Sequence, residues 1–345
     1  MRVLCSSIIL ISALLSAVTH SEAQEVEQFY RGKHIIMLVG SGVGGGYDVY
    51  ARAFARHASK HIQGNPTIVA RNLPLAGGMV AANTLYNNSS NDGLTIGALA
   101  NSAGLDPLLG SEGVRFDAQK LNWIGSIGKL QNVCITWHES PIKTIEMALD
   151  REVVVAGAGA STNTVIIPHI LNKLLGTRFK VIPGYEPGAG LTMAVESRET
   201  EGMCGMGWST LKAARPEWIA NKKINVLVQL AFEKLVDLPD TPSAIDMIKD
   251  QNDRTVLELV LMRQEMGRPF AAPPGVPANR INELRRAFDA TMKDPDFIVE
   301  AGKTYLDVDP LTGEQIQALL TRAYQAPKET IRKASTLINP LSAQK

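Results

Sequence analysis

Residues 35–57 read IIMLVGSGVGGGYDVYARAFARH. Ile35–Val39 is an apolar run of strand length, bounded by glycine, and reads as a buried strand. A glycine-dense turn follows. Beyond it Tyr50, Phe54 and Ala58 recur at helical spacing over Asp48–Ile62, while Arg52, Arg56 and Lys60 line another face. Gly40, Gly42 and Gly45 spell G-x-G-x-x-G, a spacing used by dinucleotide-binding turns. That chemistry also needs an acid about 20 residues on, at the end of the second strand, for the ribose hydroxyls. Here the second strand, Thr67–Ala70, runs into Arg71-Asn72 with no acid.

The alternation continues outward. "RNLPLAGG" is a turn, "MVAANTLY" a helix, "NDG" at 91–93 a turn and Leu94–Ala98 a third strand. This βαβαβ rhythm predicts a parallel sheet with helices on its faces. A second βα series starts near Val133. Its strands are Val153–Val155, Lys180–Ile182 and Ile224–Leu230, and its helices Val165–Leu175, with Pro168 in the first turn, and Ala189–Ser197. "RPFAAPPGVP" at 268–277 reads as a strand entering a turn, and helices follow at Ala278–Lys293 and Gly313–Tyr324. These late helices have no strand series of their own and are expected to pack on the first lobe. The expected fold is α/β and two-lobed, a clamshell of the periplasmic binding protein kind, each lobe a mainly parallel sheet flanked by helices. Its expected organisation is a leader at 1–23, lobe 1 at 24–128, lobe 2 at 129–250 and a return to lobe 1 at 251–345. Two crossings between lobes make a hinge.

The N-terminus supports export. Arg2 precedes an apolar core, Ile8–Leu15, and Ser21-Glu22-Ala23 offers small residues at a cleavage site. A membrane span would need roughly 20 apolar residues. A cleaved signal peptide places the protein outside the cytoplasm, in the periplasm, where nicotinamide cofactors are scarce; no cofactor is expected. Cys5 leaves with the leader, so Cys134 and Cys204 remain, either bridged as one disulfide or as two buried thiols. Net charge is +1 with no long basic run, which argues against nucleic acid as a partner.

Catalytic and metal motifs are weak. G-x-S-x-G is absent, and Ala58 after His57 rules out H-E-x-x-H. His57 and His61 read as part of a basic solvated face. The chemistry that remains is that of bare backbone. A glycine-rich turn after a parallel strand exposes N–H groups at a helix start, a ready anion site. Three such turns occur: Gly40–Asp48, Leu73–Gly78 and Gly157–Thr164. Loops at the carboxyl ends of strands face the crevice of an open α/β sheet. Three of them converging on one crevice suit a small carboxylate.

The segments "MLVGSGVGGGYDVYAR", "VARNLPLAGG", "AANTLYNNSSNDGLTIG", "DLPDTPSAID" and "AAPPGVPANRINELRRAFDATMKDPDF" resemble the Bug, or TctC-like, solute receptors. These are periplasmic components of tripartite tricarboxylate transporters, and the likeness spans nearly the whole mature chain. It implies a monomer without catalytic activity that closes on a small organic carboxylate and docks to a large and a small membrane protein. It further implies contacts from Ser41, Gly44, Gly45, Gly46, Tyr47 and Asp48 in the first loop and from Leu75, Ala76, Gly77 and Gly78 in the second. Hydroxyls of Ser161, Thr162 and Thr164 would come from lobe 2, with Tyr185 and Trp208, in the turn after Cys204, closing the far side. The chain departs from the family pattern at Gly40-Ser41, where Pro-Phe is usual, at Leu75, where a glycine is usual, and at Thr200-Glu201. A receptor for a membrane sensor is the alternative role, and a secreted enzyme a third.

Overall fold

The computed structural model describes residues 24–159 and 162–338. The leader at 1–23, Cys5 and Ser161 lie outside the described residues. Eleven strands occur among them: β1 (His34–Val39), β2 (Thr67–Asn72), β3 (Thr95–Ala98), β4 (Asn122–Ser126), β5 (Asn132–Trp137), β6 (Val153–Ala156), β7 (Phe179–Ile182), β8 (Gly202–Gly207), β9 (Ile224–Leu230), β10 (Pro269–Ala272) and β11 (Leu311–Thr312). They form two sheets, ordered β11-β4-β10-β3-β1-β2 and β7-β6-β8-β5-β9.

β1 pairs parallel to β2 and β3, while β10 is antiparallel to β3 and β4, and β11 to β4. So β1, β2, β3 and β4 point one way, and only β10 and β11 oppose them. In the second sheet β6 is parallel to β7 and β8, and β5 is antiparallel to β8 and β9. There β5 alone runs against the rest. Each sheet is thus mainly parallel in direction, with one reversed strand wedged inside it.

The first sheet is built from both ends of the chain. β1 is covered on both faces: Ile35, Met37 and Val39 are fully buried on one, and Leu38 is buried on the other with Ile36 packed beside it. The helix Gly46–Ala58 lays Tyr50, Phe54 and Ala58 onto it. Phe54 meets Phe270 and Phe288 at ring distances of 4.7 and 5.5 Å, stitching β10 and the helix Ala278–Thr291 to the N-terminal half. The basic face that begins on Gly46–Ala58 is solvated at Arg56 and Lys60, as expected, but its histidines are partly covered and paired. His57 Nε2 lies 2.8 Å from Glu300 Oε2, and Arg56 pairs with the same carboxylate. Lys60 and His61 both reach Asp294 at 2.7 Å. A second helix, Pro295–Lys303, supplies these acids at its N-terminal boundary and along its length; the histidines answer to a neighbour remote in sequence.

The first crossing leaves the end of β4 and enters β5 through residues 127–131. β4 runs with β1–β3, so this crossing starts on their carboxyl side. It arrives where Asn132 pairs with Gly207 and Leu230, the last residues of β8 and β9. It therefore joins the carboxyl edges of the two sheets. The return crossing lies at 266–268, after the helix Gln251–Glu265 rather than before it. The two crossings touch backbone to backbone. Ile127 N–H donates to Arg268 O (3.2 Å), and Leu130 N–H donates to Gln264 O (2.8 Å) in the last turn of the helix that leads into the return crossing. A Cβ built on Gly267 would lie 2.4 Å from Leu130 N, so only glycine fits.

Two further expectations change. The last helix, Lys328–Ile338, does not stay on the first lobe: it packs on Asn163–Leu175 and Gln251–Glu265. Ser335 Oγ also donates to Leu109 O (2.7 Å), and Lys333 pairs with Asp253. The helix Asn163–Leu175 starts earlier than predicted, which puts Pro168 in its second turn.

Candidate carboxylate crevice

The three loops that follow β1, β2 and β3 meet at their backbones. Ala76, Gly77 and Gly78 have φ of 51°, 64° and 92°, a left-handed run that turns the chain sharply before the helix Met79–Asn88. A Cβ on Gly78 would lie 2.7 Å from Gly40 O, and one on Gly40 would lie 3.3 Å from Gly78 Cα and 3.4 Å from Ala100 N. Gly40, the first glycine of the dinucleotide-like spacing, is therefore a packing glycine. It lets the second loop sit against the first.

The first loop is held by Asp48. This residue is 2% exposed and pairs with Arg52 Nε at 2.9 Å. It also accepts from Gly44 N–H (2.9 Å) and Asn72 Nδ2 (2.8 Å), and Asn72 Nδ2 donates to Ser41 O (2.9 Å) as well. Burial alone would raise its pKa, but hydrogen bonds from Arg52, Asn72 and Gly44 outweigh that and hold the carboxyl below its ordinary value. Asp48 thus ties the glycine loop to the end of β2. Its acceptor capacity is spent inside the protein. Beyond this clamp Gly46 begins a helix whose first N–H groups have no intrahelical acceptor. The side chains of Val43 and Leu75 stand in solvent, 79% and 67% exposed. Tyr47 Oη donates to Asn101 Oδ1 (3.0 Å) and accepts from Asn101 N–H (3.1 Å), fixing the loop after β3 to the same edge.

The second lobe contributes the turn after β6. Thr164 Oγ1 accepts from Ala158 N–H (3.0 Å) and shares a hydrogen bond with Thr162 Oγ1 (2.9 Å). Thr162 Oγ1 also donates to Gly159 O (2.7 Å). These hydroxyls shape their own turn. Tyr185 stands beside it, its N–H on Gly157 O (3.1 Å) and its hydroxyl on Glu199 Oε1 (2.8 Å). Trp208 does not wall a crevice. It is 3% exposed, packs in the core of the second lobe and donates its indole N–H to Asp237 (2.9 Å). No turn follows Cys204: β8 continues to Gly207, and Trp208 opens the helix Trp208–Ala214.

Two side chains absent from the sequence-based set stand at this edge. Asn101 hangs from Tyr47, and Arg268, on the return crossing, stacks over Tyr47 and Tyr50 at 5.0 and 4.6 Å from their ring centres. The available signal for Arg268 was its position: a lone charge between Gly267 and an apolar strand. Among the described residues no group of three or more His, Cys, Asp or Glu side chains could hold a metal ion. No helix there is long and apolar enough to cross a membrane.

The family model for the tripartite tricarboxylate transporter family receptor, TctC, matches residues 50–340. Among solved structures, a TctC solute binding protein from Polaromonas without ligand superposes with a TM-score of 0.67 at 18% identity, covering 90% of this chain and 99% of its own. Rpa4515 of R. palustris with adipate gives 0.67 at 15% identity, covering 88% of this chain and 97% of its own. MatC (Rpa3494) from Rhodopseudomonas palustris with bound malate gives 0.63 at 18% identity, covering 88% and 99%. At these identities the likeness is one of fold. Comparison with curated protein sequences gives no match.

Proposed function

The chain belongs to the tripartite tricarboxylate transporter receptor family, and from that premise we propose that it is an extracytoplasmic receptor for a small organic carboxylate. The observation that carries the reading is the backbone meeting of Gly40, Gly78 and Ala100. It brings two glycine loops together beside the start of the helix Gly46–Ala58. Unpaired N–H groups and the positive end of the helix dipole then favour an anion there. The exposed Val43 and Leu75 flank these loops and suit the carbon skeleton of an organic acid. Adipate and malate in two structures of the same fold support the class.

In this reading the leader at 1–23 directs the protein to the periplasm and is removed. The lobes turn about the paired crossings at 127–131 and 266–268. A ligand bridging the glycine loops and the turn at Gly157–Thr164 binds the closed form better, and so shifts the population toward it. The closed receptor then docks to a large and a small membrane protein, and it catalyses nothing itself.

The test has two arms. Small molecules released by denaturing the purified protein are identified by mass spectrometry, and uptake of the same compound is measured in cells lacking the gene. A released carboxylate whose uptake falls in the deletion strain is the expected result. A carboxylate that binds while its uptake is unchanged would remove the transport role. A non-acidic ligand would remove the carboxylate.

A further inference from the structure

Arg268 is an arginine without an acid. It is 4% exposed, yet among the described residues no carboxylate lies within ion-pair distance, and its Nε has no hydrogen-bond partner. Its other contacts are slight: Nη1 donates to Gly267 O (2.9 Å), and the guanidinium lies over Tyr47 and Tyr50. By contrast Arg263, also buried, reaches Asp106 at 3.6 Å. A buried cation ordinarily needs a counter-charge, and the faces of two tyrosines offer only a partial one.

The direction in which it points sharpens the case. A Cβ on Gly46 would lie 3.8 Å from Arg268 Nη2, so the guanidinium faces the first residue of the helix Gly46–Ala58. That is the positive end of the helix dipole, where a cation is disfavoured and an anion favoured. Asn101 adds a third donor. It is 6% exposed, held through Tyr47, and its Nδ2 has no partner among the described residues. Arg268 Nε and Asn101 Nδ2, both without an acceptor among the described residues, thus stand on the ring and the hydroxyl of Tyr47, whose own backbone lies at the helix start.

We propose that Arg268, the helix-start amides at Gly46 and Tyr47, and Asn101 Nδ2 form a subsite that demands a full carboxylate at the hinge end of the ligand. This rests on reading the crevice as a carboxylate site, and it narrows the ligand class to acids that lodge a charged end against the crossing. The guanidinium pairs with the carboxylate directly, in the fork geometry arginine favours. Because Arg268 belongs to the crossing itself, that contact engages the hinge as well as the first lobe.

Calorimetric titration of adipate, malate, citrate and the diamide of adipate into the wild type, R268Q and R268K tests it, with circular dichroism reporting folding. The expected result is that at least one of the acids binds the wild type, and R268Q weakens it at least tenfold while changing the weak binding of the diamide, which has no carboxylate to lose, less than threefold. R268K, which keeps the charge but not the fork, should fall between, and it carries the test if R268Q does not fold. Unchanged affinity, or equal loss for acid and amide, overturns the subsite and leaves the receptor reading standing. If none of the three acids binds the wild type, the carboxylate reading fails and the subsite falls with it.

Discussion

Two glycines of the crevice do different work, and substitution separates them. Gly45 has φ −69°, a conformation any residue adopts, but a Cβ there would come within 3.1 Å of Gly42 O. Gly45→Val should leave the melting temperature nearly unchanged and weaken ligand binding roughly tenfold or more, about 1.4 kcal/mol; equal affinity would take the loop out of the site. Gly78 sits at φ +92° against Gly40 O, so Gly78→Ala should cost stability itself, about 1–3 kcal/mol by urea denaturation. These positions were legible from glycine density alone. Asp48 was not. A carboxylate beside a glycine turn looks the same in sequence whether it faces a ligand or an arginine one helical turn on. Arg268 was hidden for the opposite reason, since nothing in a lone arginine before a strand reveals that its partner is missing.

Elements that obey a simple period were readable, and those built by long-range contact were not. β1, β2 and β3 announce themselves as apolar runs closed by turns, and the helix Gly46–Ala58 by its spacing. β8, GMCGMG, carries no such signal. Its glycines are there because neighbours press in: a Cβ on Gly202 would lie 2.0 Å from Ile135 O. Cys134 faces Cys204 across β5 and β8, and the two form a disulfide closing a separation of 70 residues. Loop-closure entropy puts its contribution at about 4 kcal/mol. A Cys134→Ser/Cys204→Ser double variant should unfold at lower denaturant by up to that amount, and reductant should shift only the wild type. The clamp between Gly46–Ala58 and Pro295–Lys303 makes a pH prediction. Hydrogen bonds from Lys60, opposed by burial and joined by His61 and the Asp296 N–H, hold the Asp294 carboxyl well below the ordinary range. A depressed folded-state pKa stabilises above the unfolded value, about 3.9 for Asp, and that stability is lost as pH falls. Asp294→Asn can still cap its helix, so its deficit in melting temperature should be full at neutral pH and shrink below about pH 4. A deficit constant with pH would mean the ion pairs contribute nothing.

At the scale of the whole molecule, two sheets are joined at their carboxyl edges by crossings packed together through Gly267, the arrangement that the proposed closure on a small ligand needs. The last helix, Lys328–Ile338, ties Leu109 of the first lobe to helices beside the second, so closure must carry it along or slide beneath it. The two-lobed plan was legible because a broken βα rhythm forces the chain to cross twice; the strap was not, because an amphipathic terminal helix does not say which lobe it covers. The central claim is that the crevice between these lobes binds a small carboxylate. Thermal unfolding of the protein lacking residues 1–23, with and without a panel of mono-, di- and tricarboxylates, tests it most directly. A ligand at a hundredfold excess over its Kd should stabilise the fold by about 2.7 kcal/mol and raise the melting temperature accordingly. A melting temperature unmoved by every acid in the panel would contradict the account.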